Sequence, residues 1–397
     1  MSNFRGIALR LEPMIWNLAG ERPTLEESAP RLRGRSRTFR EPAQLEALAP
    51  LWRRLAEADD SPFVTWDWHR AWRRHFGWSC EETPVFVWEG VAGDRCLVPM
   101  VSLDGVLEMA GFGICDFQDA LADSTEAVCA AARVLCRLAR RRDFALRFSQ
   151  LSERGRFLGP LLGAAAEAGM LADSTVVGPC PWLHIGGADV EGVIAGFGKS
   201  TRKGIRRRLR KMEEGVGGRM RPVALPDRTF FDAAAALHRA RHTRSIFDEE
   251  GFDGFLEEIS RSREVGLVAF ALETKLGQLM AFEIGFERGG RYLSWIGGFD
   301  PACSEYRPGI SLQTLAMAEL ARRGTRIYDF LCGGEEYKFH FATDEYLVRS
   351  LTVQRATPWR VAVTGASRLE RLARPPIKKL LRNAGLYRTK YRIDPLV

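Results

Sequence analysis

The sequence predicts a mixed α/β (α+β) fold made of two tandem copies of one unit, each a mixed, mainly antiparallel sheet flanked by helices. Three observations carry this expectation. Residues 278–338 read strand, turn, strand, loop, helix, strand and polar loop; residues 84–151 repeat that order; and a strongly basic helical run lies between the two. The residues of the copies barely align, so what repeats is the architecture.

In the second copy, 278–286 and 292–299 are apolar-rich runs joined by the turn Arg288-Gly289-Gly290-Arg291, which is a β-hairpin signal. A strand over 265–273 precedes it and Asp300-Pro301 closes it. Tyr306-Arg307-Pro308-Gly309 then leads into a helix over 310–323, striped by Ile310, Leu315, Ala318 and Leu320 and stopped by Gly324. A short buried strand over 326–331 follows, with Gly333-Gly334-Glu335-Glu336-Tyr337-Lys338 beyond its end. Residues 346–354 read as a closing strand.

The first copy opens with helices over 42–58 and 66–76; Trp68, Trp72 and Phe76 share one face of the latter and are expected to be core. Strands follow over 84–88, 95–103 and 106–112, then a helix over 125–141, a strand over 145–151, a helix over 154–168 and a strand over 175–185. Between the copies, eight of the thirteen residues 199–211 are basic, and Ile205, Leu209 and Met212 give them a thin apolar stripe. Helices over 230–241 and 254–262 introduce the second copy. The expected division is a disordered basic arm over 1–37, a first unit over 38–190, a basic linker helix over 191–224, a second unit over 225–357 and a basic tail over 358–397.

A chain of 397 residues, 46% hydrophobic and 10% aromatic, has enough apolar material for real cores. A net charge of +8 favours an anionic partner: a phosphorylated cofactor, RNA or an anionic lipid surface. The eight cysteines show no CxxC pair and no zinc spacing, so they read as core residues or free thiols of a reducing compartment. With no secretory-signal pattern and no long apolar run, the expected location is cytoplasmic, with peripheral membrane contact open to the basic C-terminal tail. No GxSxG, HExxH or P-loop occurs, so hydrolase, zinc-peptidase and NTPase chemistry lack a motif, and no metal is expected.

Residues 202–210, Tyr306-Arg307-Pro308-Gly309, Ile327-Tyr328-Asp329-Phe330 and Tyr337-Lys338-Phe339 resemble, in type and order, the motifs of the CelD-type (cellulose biosynthesis) acetyltransferases of the GNAT superfamily. Cys115-Asp116-Phe117-Gln118-Asp119 is similar to the acidic segment of that family's first unit, with Phe117 where the family has Tyr. The resemblance covers about residues 40–355. It implies tandem GNAT units with an acyl-CoA donor, acetyl-CoA or another, bound in the second, and a fold shared with Fem-type peptidyltransferases, which use aminoacyl-tRNA. Only Arg307 and Gly309 match the usual GNAT pyrophosphate loop, and Fem-type proteins also have a degenerate loop, so the motif does not separate the two donors.

Acyl transfer needs a base, a holder for the carbonyl and a proton for the leaving group. Asp329 ends a strand at the expected cleft and is the first choice of base, although it would equally cap the following glycine loop. Glu283 stands mid-strand, where burial would raise its pKa, or it faces solvent. Tyr337 is the candidate proton donor. Arg307, Gly309 and Ile310 at a helix N-terminus, with Lys338, are the candidate cofactor anion site. Asp116, Asp119, Arg202, Arg206 and His340 are candidate substrate contacts. The expected activity is N- or O-acyl transfer, most simply acetyl transfer, to a small polar or saccharide acceptor of the cell envelope. Alternatives are a Fem-like aminoacyl-tRNA-dependent transferase and a non-catalytic module that binds a polysaccharide-synthesis partner or a membrane surface.

Overall fold

Alternating apolar runs fold into one sheet, and the 3.6-residue apolar stripes lay helices on both of its faces. The computed structural model describes residues 34–103, 105–187 and 189–367. In chain order the first elements are β1 (Gly34–Phe39), α1 (Pro42–Glu46), α2 (Ala49–Ala56), α3 (Trp66–Phe76), β2 (Val85–Gly90), β3 (Arg95–Leu103), β4 (Val106–Met109), β5 (Leu121–Ala122), α4 (Thr125–Arg142), β6 (Ala145–Ser152), α5 (Leu158–Glu167) and β7 (Met170–His184). There follow α6 (Val190–Ile194), α7 (Lys199–Val216), β8 (Arg219–Val223), α8 (Arg228–Arg241), α9 (Phe252–Ser260), β9 (Leu267–Glu273), β10 (Leu279–Arg288), β11 (Arg291–Phe299), α10 (Pro308–Arg322), β12 (Ile327–Asp329), α11 (Glu336–Phe339) and β13 (Asp344–Arg355).

Among the described residues the strands form a single sheet in the order β1-β2-β3-β4-β6-β13-β7-β12-β11-β10-β9-β8, with β5 paired to β3 off that path. Neighbours are antiparallel except at two places, β4 with β6 and β11 with β12. The two ends of the path mirror each other about β13 and β7, and each of these long strands pairs with the opposite half: β13 with β6, β7 with β12. Their mutual ladder runs from Asp344↔Trp182 to Arg355↔Met170. The fold is therefore a mixed α/β one with a large, mainly antiparallel sheet that is continuous through both copies.

The alternation of β9 shows how one strand feeds a core on each face of the sheet. Ala269 and Ala271 join the cluster beneath α3, α8 and α9, while Phe270 and Leu272 join the cluster beneath α6, α7 and α10. Edge-on contacts such as Trp68 to Phe255, with ring centroids 4.9 Å apart, tie the first core together.

Several boundaries differ from the sequence reading, each for a local reason. The helix expected over 42–58 is two helices, because Pro50 lacks an N–H to continue a ladder and starts a new helix instead. Residues 34–37, assigned to the disordered arm, belong to edge strand β1, whose Arg35 pairs with Glu89 of β2 at 2.8 Å. The rest of the arm, residues 1–33, lies outside the described residues. The helix expected from 154 starts at Leu158, because Asp119 takes the Arg156 and Phe157 N–H groups into a turn. Strand β7 begins at Met170 rather than 175, in a polar stretch that carries little apolar alternation. Residues 358–367 of the basic tail are helical, and 368–397 lie outside the described residues.

Phe255 is fully buried. Phe255→Ala is expected to cost about 3–5 kcal/mol of stability through lost packing and a residual cavity, read from urea unfolding midpoints.

Candidate functional site

The parallel pair β11–β12 holds together at only three positions, Arg291↔Ile327, Tyr292↔Tyr328 and Leu293↔Asp329. Beyond them β11 continues to Phe299 while the chain leaves β12, so the two strands part. At the same level the β10–β11 ladder slips: Ile284 faces Ile296 but Gly285 faces Ser294, which leaves Trp295 as the surplus residue of a bulge. A cavity of about 1510 Å³ opens there, with β11 residues from Ser294 to Phe299 on one side and Phe330, Leu331 and Cys332 on the other.

A buried clamp fixes the point of parting. Asp329, fully buried at the end of β12, accepts from Arg291 of β11 and from the Tyr346 hydroxyl of β13 at 3.0 Å. Its other oxygen accepts the Leu331 N–H at 2.8 Å. Burial pushes Asp329 up and these partners pull it back, leaving it above the ordinary aspartate value. Leu331 takes φ 57°, the left-handed region that a branched side chain rarely enters, and this turn leads into Cys332 on the cavity wall.

Four elements bring the sequence-predicted polar residues to the cavity. Helix α10 starts here: Arg307 is its N-cap, with φ 50°, and Gly309, Ile310 and Gln313 follow along the wall. First-turn N–H groups lack helical acceptors and carry the positive end of the helix dipole, so this end suits an anion. Lys338 of α11 is buried; its Nζ lies 3.0 Å from Glu335 and 3.4 Å from the Cys332 carbonyl. Burial pulls the Lys338 ammonium down, but Glu335, Tyr337 and Asp116 outweigh it and leave it above its ordinary value, hence charged. Glu283, 3% exposed, accepts from the Tyr328 hydroxyl, and burial raises its pKa. Tyr337 is likewise raised by burial.

The fourth element comes from the other half of the chain. Asp116, in the loop after β4, lines this cavity together with Cys115 and Ile114. Burial raises it to about 7; Lys338 opposes the shift, while the Asp329 and Glu335 charges add to it.

The cavity thus gathers Glu283, Tyr337, Arg307, Gly309, Ile310, Lys338 and Asp116. Asp329 lies behind it, occupied by the clamp. Asp119 lines a separate cavity of about 1120 Å³ with Asp59, Arg154, Arg156 and Arg291, accepts the N–H groups of Ala120, Arg156 and Phe157, and is raised by burial to about 6. Arg202 donates to the Ala195 and Phe197 carbonyls, Arg206 pairs with Glu191, and His340 is exposed beyond α11. The cavity also takes residues that the sequence did not single out: Ser294 and Trp295 at the bulge, and His238, Arg241, His242 and Arg244 at and beyond the end of α8. Burial, His242 and Arg241 hold His238 down at about 4, so it is neutral near pH 7, with Nδ1 2.8 Å from the Ser245 hydroxyl. Among the described residues, no group of three or more His, Cys, Asp or Glu side chains is arranged to hold a metal ion, and no helix is long and apolar enough to cross a membrane.

Residues 199–339 match the family model described as an acetyltransferase (GNAT) domain. The matched stretch contains α10, β12 and the bulge. A search of curated proteins finds no match. Among solved structures, FemX shares 10% identity at TM-score 0.54, covering 83% of this chain and 100% of that one. A domain described as the C-terminal part of a lysylphosphatidylglycerol synthetase from Agrobacterium fabrum shares 13% at TM-score 0.52, covering 82% and 97%. L-PGS from Bacillus licheniformis shares 11% at TM-score 0.51, covering 83% and 96%. At such identities the likeness is one of fold.

The charge state of Asp116 has a consequence for stability. Its folded pKa, about 7, stands above the ordinary 3.8, so between these values the folded form holds more protons than the unfolded one. The stabilisation is full below about pH 4 and is lost as pH rises through 7. Asp119 contributes a slope of the same sign. Asp116→Asn is therefore expected to flatten part of the fall in Tm between pH 5 and pH 8 and to raise Tm at pH 8, read by calorimetry across that range.

Proposed function

We propose that this protein is an acyltransferase whose second half, residues 225–357, binds an acyl-CoA and passes the acyl group, in the simplest case acetyl, to an amine or hydroxyl. The observation that carries this reading is that the parting of β11 and β12, the bulge at Trp295 and the N-terminus of α10 all open into one cavity. The GNAT-domain match over residues 199–339 supports it.

Arg307 and the first N–H groups of α10 would hold the phosphates of the donor, with Lys338 as a second cation. Trp295, out of register with β10, frees backbone groups from the ladder beside the strand gap, where a carbonyl needs a donor. Asp116 is the proposed base. A carboxylate at about 7 is half deprotonated at neutral pH and strong enough to take a proton from an attacking amine or hydroxyl. Glu283, bound by Tyr328, is a further acidic group of the cavity and would orient the acceptor. Tyr337 would return a proton to the departing thiolate as the carbon–sulfur bond breaks and the new amide or ester bond forms. Asp329 has a positioning role in this scheme, since it sets the Leu331 turn from behind the cavity. The first half, residues 38–190, would contribute Asp116 and the wall around it. A cell-envelope saccharide acceptor, in line with the CelD-type motifs, fits the polar lining.

A second reading takes aminoacyl-tRNA as the donor. It draws on Lys203, Arg207 and Arg210, which are exposed on α7. Such binding would weaken steeply with salt, by about 0.7 units of log K per phosphate contact in each decade of concentration.

Free CoA and acetyl-CoA are expected to raise Tm, with a ligand at about a hundred times its Kd adding about 2.7 kcal/mol. Arg307→Asn, which tolerates the left-handed backbone, and Lys338→Met should each weaken CoA binding on the order of ten- to a hundredfold. No shift with any CoA species, together with a salt-sensitive shift with charged tRNA, would transfer the assignment to the second reading. Initial rates of acetyl transfer should rise through about pH 7, and Asp116→Asn should remove that limb while leaving CoA affinity in place.

A further inference from the structure

Part of the same cavity is not polar. Trp72 and Phe76 of α3, Phe112 and Ile114 of the loop after β4, Ile246 and the bulge residue Trp295 all line it. Trp72 stands edge-on to Phe112 at 5.6 Å and tilted against Phe76 at 6.4 Å, so these side chains make a continuous wall. Phe76, Phe112, Ile246 and Trp295 pack against the core on one side and are only partly covered on the other. Aromatic and branched side chains left half covered inside a concavity forgo the hydrophobic gain of burial, which marks a place for apolar matter. An acetyl group would cover almost none of this wall. The cavity, about 1510 Å³, also exceeds the roughly 300–1,000 Å³ usual for a site holding one drug-sized ligand.

Resting on the acyl-transfer reading, we infer that the substrates of this site include a long aliphatic chain seated against Phe76, Phe112, Ile246 and Trp295, with the buried Trp72 and Ile114 backing them. Arg307 and Lys338 complement the anionic phosphates of CoA, and the apolar wall continuous with them complements a hydrocarbon chain held beside that donor. The chain belongs either to the acyl group of the donor or to the tail of an alkyl amine acceptor. Both present the same methylenes to the wall.

The experiment is isothermal titration of the full chain in two arms. The first uses free CoA and acetyl-, butyryl-, octanoyl- and palmitoyl-CoA; the second uses methyl-, butyl-, octyl- and dodecylamine with CoA already bound. Affinity is expected to grow about fourfold per methylene before levelling off, in the first arm if the chain is the donor's and in the second if it is the acceptor's. Ile246→Trp should move the levelling point to a shorter chain in that arm. Free CoA binding with no length dependence in either arm would overturn the inference and leave acyl transfer standing. A length dependence that Ile246→Trp leaves unmoved would overturn it too, as adsorption elsewhere. Failure of free CoA and of every acyl-CoA to bind would instead sink the acyl-CoA reading on which it rests.

Discussion

The buried contact of Asp329 with Arg291 and Tyr346 decides where the sheet stops being a sheet. Its three residues sit on β12, β11 and β13. Burying a carboxylate and a guanidinium costs several kcal/mol per ion, and only good geometry with satisfied hydrogen bonds repays it. Here one Asp329 oxygen takes Arg291 and Tyr346 while the other takes the Leu331 N–H, so the carboxylate has partners on both sides. Arg291 also reaches Asp60 in the loop after α2, at 3.1 Å, which fastens the first half of the chain to the same point. Beyond the clamp nothing holds β11 to β12, and the strands part. The left-handed turn at Leu331 is stable because the clamp supplies the hydrogen bond that a continued strand would have supplied.

Two buried carboxylates near one another show how surroundings divide roles. Asp329 and Asp116 both stand above the ordinary aspartate value because of burial. Asp329, however, lies behind the cavity and holds Arg291, Tyr346 and the Leu331 N–H, whereas Asp116 keeps some exposure and lines the cavity together with Lys338. The ammonium of Lys338 opposes the effect of burial on Asp116, which stands at about 7. The three hydrogen bonds that Asp329 accepts tie it to structure, and Asp116 is the carboxylate of the two that lines the cavity.

Much of this was written in local pattern. The hairpin at Arg288-Gly289-Gly290-Arg291, the helix entrance at Arg307-Pro308-Gly309 and the polar segment up to Lys338 are short-range signals, and they place the β10–β11 hairpin, the N-terminus of α10 and the cavity wall. What was not legible depends on distance in sequence. Asp329 reads as a base or as a cap of the glycine loop; its hold on Arg291 and Tyr346 is not legible because these lie 38 residues before it and 17 after it. The bulge at Trp295 is a matter of register between strands and leaves no mark in an alternating run. His238 and Arg241 read as the polar end of an ordinary helix; only the fold turns that end into the cavity. Arg202 and Arg206 look like an anion-binding face until their partners, the Ala195 and Phe197 carbonyls and Glu191, are seen to occupy them.

The mirrored order of the sheet gives a physical reason for two copies in one chain. If each copy closed its own sheet, β7 would pair with β6 and β13 with β12. Instead β13 lies against β6 and β7 against β12, so each half completes the other through its longest strand. Residue pairs from Asp344↔Trp182 to Arg355↔Met170 make that exchange the most extended ladder of the sheet. An exchange of this size leaves neither half a complete sheet of its own, and it fixes the loop after β4 relative to the end of β12. Asp116 is thereby brought to Lys338, and Trp72, Phe76 and Phe112 to Trp295, on one cavity wall that neither copy possesses alone. The second copy supplies the parting strands and the helix terminus; the first supplies Asp116 and the side of the wall formed by Trp72, Phe76, Phe112 and Ile114.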